Sequence, residues 1–87
     1  MNTIYNINDS KMKKVVVLGA GLVGKAIAID LAKTFEVTSV DINETALSAL
    51  SSEGVKTIKA DIGNATVLSA LIQPFDLVVG AVPGLVG

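Results

Sequence analysis

The chain has 87 residues, 51% of them hydrophobic and 17% charged; that much apolar side chain in so short a length excludes disorder over most of it and limits it to one small domain. Its 7 basic and 8 acidic residues leave a formal net charge of −1, so no global field exists to hold nucleic acid or an anionic membrane. The lack of Cys excludes disulfides and thiolate chemistry, and the lack of His removes the commonest general base and metal ligand.

The first 11 residues are polar and asparagine-rich, without the apolar stretch of a signal peptide, and read as a disordered lead to a domain over 12–87. No apolar stretch reaches the roughly 18 residues of a membrane span, so no membrane partner is expected and a cytoplasmic location fits. A strand over 13–18 comes first, its run Val15-Val16-Val17-Leu18 continuously apolar, as in a strand covered on both faces. Gly19-Ala20-Gly21 turns the chain into a helix ending near Thr34, with Val23, Ile27 and Leu31 at i, i+4 and i+8 as its core stripe. A second strand over 36–40 ends at Asp41, and Asn43 is placed to cap a helix that turns Ala46, Leu47 and Leu50 inward. Gly54 suits the position just past that helix. The third strand is read over 55–59, and the third helix over 64–72, with Leu68, Leu71 and Ile72 inward and Pro74 as its stop. A fourth strand follows over 75–81. Strict alternation of strand and helix implies right-handed crossovers and a parallel sheet. The expected fold class is α/β, half of a Rossmann fold, with about four parallel strands in the order 3-2-1-4 and flanking helices.

The run Gly19-Ala20-Gly21-Leu22-Val23-Gly24 matches G-x-G-x-x-G in the context that gives the pattern meaning, after an apolar strand and at the opening of a helix. Gly19 would make the tight turn, Gly21 would leave room for a diphosphate, and Gly24 would let the helix press on the sheet. Backbone amides from Gly21 through Leu22 to Val23, with the helix dipole behind them, would bind the diphosphate without a basic side chain. Roughly 20 positions after the first glycine, where a dinucleotide-binding unit carries its ribose carboxylate, stands Asp41. It would accept from both ribose hydroxyls and repel a 2′-phosphate; Ile42 and Asn43 after it supply no cation, so NAD is expected over NADP. An Asp at such a place also serves to cap the following helix. Asp61 could accept from the adenine amine while Ile42 or Ile62 packs on the ring, or it could cap the third helix. The segment Ala81-Val82-Pro83 closes the fourth strand with small residues that would face the diphosphate and nicotinamide, unless it is an ordinary Pro-Gly turn. No catalytic residue and no metal ligand is assigned.

With the glycine motif, Asp41 and the phrase from Asp76 to Gly87, DLVVGAVPGLVG, the sequence resembles the N-terminal cofactor domain of the saccharopine dehydrogenase and lysine 6-dehydrogenase family. The resemblance covers 12–87 and implies NAD(P)-dependent oxidation of an amino acid's C–N bond in a longer protein with a substrate domain, this stretch alone being inactive. The stretch from Val15 to Asp61 is also similar to the NAD-sensing regulatory domains of potassium-transport systems, which catalyse nothing; the fourth strand is unlike theirs. A methyltransferase fits poorly, since its cofactor loop has another glycine spacing. A sheet that stops at its fourth strand leaves Leu77, Val78, Val79 and Val82 short of cover, so a homo-oligomer joined through that strand is expected.

Overall fold

The computed structural model of the chain describes residues 13–81. The strands are β1 (Lys14–Leu18), β2 (Glu36–Asp41), β3 (Lys56–Lys59) and β4 (Leu77–Gly80), and the helices α1 (Leu22–Leu31), α2 (Glu44–Ser51) and α3 (Ala65–Ile72) alternate with them. All pairings are parallel, and the sheet order is β3-β2-β1-β4. The half-Rossmann expectation therefore holds in class, direction and order. Strand order reverses between β1 and β4, which places the switch-point crevice at the carboxyl ends of those two strands.

The continuous apolar run of β1 does what two covered faces require. Val15, Val16 and Val17 have no exposure at all, and burying each is worth about 1.5–3 kcal/mol. Val15 and Val17 meet Val37, Ala28, Leu47, Leu50 and Val55 in the layer under α1 and α2. Val16, Leu18 and Val40 face the other way, where Leu68, Leu71 and Ile72 of α3 pack with Phe75 and Ile62. The result is a sheet with two helices on one face and one on the other.

Several sequence expectations need correction. Val23, expected in the core stripe of α1, is 65% exposed; the buried residues of that helix are Gly24 and Ala28, with Ile27 and Leu31 at their flank. Small side chains let the helix axis approach the sheet, so the contact face is centred on them rather than on the largest apolar residues. Burial on both faces is confined to the central strands: every residue of β3 is exposed, and β4 leaves Leu77 and Val78 open, in line with the lack of cover expected there. The helix α3 turns Leu68, Leu71 and Ile72 inward as expected, although none of its residues is fully buried. Strand β4 is also shorter than the expected 75–81, because Phe75 and Asp76 precede it.

Candidate functional site

The turn from β1 into α1 is built from three glycines under different constraints. Gly19 has φ 106°, a conformation that a Cβ disfavours, and its amide donates to the Val40 carbonyl at 2.8 Å, fixing the turn to β2. A Cβ on Gly24 would be driven into the Gly19 carbonyl and would lie 3.4 Å from Cβ of Ala81, so Gly24 is what lets α1 sit on the turn and beside β4. At Gly21 a Cβ would meet no atom within 4 Å. The space above that residue is open, and the fold makes no use of it.

Helix α1 begins differently from its two neighbours. Asn43 caps α2 by accepting from the Ala46 amide at 3.1 Å, and Asn64 caps α3 by accepting from Thr66 at 3.0 Å and Val67 at 3.1 Å. Gly21 stands at the cap of α1 with no side-chain hydrogen bond and no acidic residue in the following turn. The first amides of a helix have no acceptor within it and carry the positive end of its dipole. Among the described residues, those of Leu22, Val23 and Gly24 find none elsewhere. A cleft of about 250 Å³ lined by Gly21, Leu22, Val23 and Ala81 opens beside them.

Asp41 ends β2 next to this turn. Its Oδ2 accepts from the Ala20 amide at 2.7 Å and its Oδ1 from the Asn43 amide at 2.9 Å. Burial pushes its carboxyl up, but the amides of Ala20, Asn43 and Ile42 together more than reverse that, so its pKa lies below the ordinary carboxylate value. It does not cap α2, because Asn43 does. Ile42, beside it, is 62% exposed. Of the two isoleucines considered for an adenine ring, Ile42 is free, whereas Ile62 packs with the α3 side of the core.

Asp61 is exposed, and its Oδ1 accepts from the Gly63 amide at 2.9 Å, closing a local turn. The cap of α3 is Asn64, so that alternative for Asp61 falls away. Ala81 lines the cleft, and its amide donates to the Leu18 carbonyl at 2.9 Å; Val82 and Pro83 lie outside the described residues. Thus Gly19, Gly21, Leu22, Val23, Gly24, Asp41, Ile42 and Ala81 gather at one end of the sheet, with Asp61 one strand further out at the end of β3. Asp76 lies at the opposite end, where it accepts from the Lys14 amide at 2.8 Å. The residue that sequence reasoning passed over is Ala20, whose amide holds Asp41; nothing in an alanine's identity signals that role. Among the described residues no group of three acidic side chains stands close enough to hold a metal ion. No helix among them is long and apolar enough to cross a membrane.

A model of the saccharopine dehydrogenase NADP-binding domain matches residues 15–86. A solved structure of a diketoreductase, described by its substrate-directed dual catalysis of dicarbonyl compounds, is 25% identical with a TM-score of 0.63 over 87% of this chain. The chain spans about a third of that protein, 34% of its length. Among curated proteins nothing matches.

Proposed function

Because the chain belongs to the saccharopine dehydrogenase NADP-binding domain family, we propose that it is the NAD-binding part of an amino-acid dehydrogenase of the saccharopine or lysine type, acting on a C–N bond in a longer protein. The family match, over a range that includes β4, supports this reading over a nucleotide-sensing domain of a potassium-transport system. The observation that carries it is the open, uncapped start of α1 above Gly21, a ready seat for a diphosphate. Its residues fit such a group: free amides of Leu22 and Val23 for the phosphate oxygens, Asp41 for ribose hydroxyls, and Ile42 for the adenine face. When bound, the dinucleotide supplies the hydride acceptor; the chain orients it and holds its charge. We assign no catalytic residue, and the chain alone is expected to bind without turnover, since substrate positioning belongs to the longer protein.

Asp41 supports NAD over NADP in this reading, because a carboxylate kept ionised would face the 2′-phosphate of a dinucleotide seated on the glycine turn. Lys59, opposite Asp41 on β3, already pairs with Glu44 at 3.6 Å. Calorimetric titration should give NAD at least about tenfold tighter than NADP, a difference of roughly 1.4 kcal/mol; equal or tighter NADP would overturn the ribose assignment. Gly21→Ala should hold its unfolding free energy within about 1 kcal/mol, because its Cβ meets nothing, while NAD binding falls at least about tenfold. Wild-type affinity in that variant would remove the diphosphate seat. The same samples given lysine or saccharopine should form no NADH above a control without protein.

A further inference from the structure

Both oxygens of Asp41 are already in use without any ligand. Oδ2 takes the Ala20 amide at 2.7 Å and Oδ1 the Asn43 amide at 2.9 Å, while the Asp41 carbonyl takes the Ala60 amide at 3.1 Å. Ala20 lies between the first two glycines and is 3% exposed, and without the carboxylate its amide loses the acceptor that holds it among the described residues. Among the described residues, the other bond tying the glycine turn to β2 is the neutral one from Gly19 to Val40; a bond to a carboxylate is the stronger kind. We propose that Asp41 is a positioning residue for the glycine turn, a latch that fixes Ala20 and with it the amides that follow, so that the ribose and diphosphate halves of the site depend on one side chain.

The consequence for cofactor choice rests on the dinucleotide reading; the latch does not. Each oxygen of Asp41 keeps one lone pair for a ribose hydroxyl while the other stays on the backbone. Replacing Asp41 with a small neutral residue and adding a cation beside it is the direct way to admit a 2′-phosphate. Here that exchange also releases Ala20, so it abolishes NAD binding without creating NADP binding. Nearby charges leave Asp41 alone in this role: Glu44 and Lys59 pair with each other, and Asp61 takes the Gly63 amide.

The test is amide hydrogen exchange on the ligand-free chain. In Asp41→Ala the Ala20 and Gly19 amides should exchange at least about tenfold faster, the scale set by losing one charge-assisted hydrogen bond, while those of Val16 and Val40 stay protected. Asp41→Asn, which keeps one acceptor, should restore part of the Ala20 protection. Unchanged exchange at Ala20 in Asp41→Ala overturns the latch. Should that variant fail to fold, the wild-type chain decides: the Ala20 and Asn43 amide shifts should titrate together with the Asp41 carboxyl, below the ordinary carboxylate range, and an Ala20 amide that ignores this titration refutes the proposal. The double variant Asp41→Ser with Ile42→Arg should bind neither cofactor, and NADP bound as tightly as the wild type binds NAD would refute the coupling. Failure of the wild type to bind NAD would sink the dinucleotide reading and leave the exchange results standing.

Discussion

Ser39 lies in the middle of β2 with no exposure, and its hydroxyl finds no partner among the described residues. A buried hydroxyl without a partner costs about 1–3 kcal/mol, and its methyl counterpart carries no such cost. Ser39→Ala should therefore raise the unfolding free energy by about 1 kcal/mol, measured in urea; a fall of that size would show that the hydroxyl holds a bond. Sequence reading places Ser39 on a strand and stops there, since the exposure of a polar strand residue depends on which helices cover it. Asp41 shows the same divide. Its position at the end of β2 follows from spacing, yet its bond to Ala20 joins residues 21 apart in the chain, and only the fold brings them together.

At the scale of elements, order and type are readable because each helix and strand has its own period and stops. The face that a helix presents is harder to read. An i, i+4, i+8 stripe selects Val23, Ile27 and Leu31, whereas close approach to the sheet selects Gly24 and Ala28. The helices also differ in how firmly they are held. Leu50 of α2 has no exposure, and Leu50→Ala should cost about 2–5 kcal/mol. Leu71 sits on α3, where no residue is fully buried, so Leu71→Ala should cost less than about 2 kcal/mol, because a partly exposed side chain loses less on truncation. Equal losses in urea denaturation would mean that α3 is packed as tightly as α2.

For the molecule as a whole, the two edges of the sheet are built unlike one another. The β3 edge carries Lys56 and Lys59, paired with Glu36 at 3.2 Å and Glu44 at 3.6 Å, and charged edges resist adding strands. The β4 edge is Leu77-Val78-Val79-Gly80, without a charge, and Leu77 and Val78 are 50% and 41% exposed. We propose that a second copy of the chain pairs along it. Light scattering over a dilution series should show a dimer that Leu77→Lys disperses, and a monomer at every concentration would refute it. The runs of β1 and β4 look alike as sequence; their different burial comes from their places in the order 3-2-1-4, since among the described residues β1 has a strand on each side and β4 has one.

The glycines of the first turn answer to separate masters in evolution. Folding itself holds Gly19 and Gly24 in place, through backbone angle and through contact, whether or not anything binds. Position 21 has no such guard, because a side chain there meets nothing. In a lineage that gave up its ligand, selection would lapse at that residue first, and a first-turn motif eroded at its middle glycine alone would mark a domain that still folds after its binding has been lost.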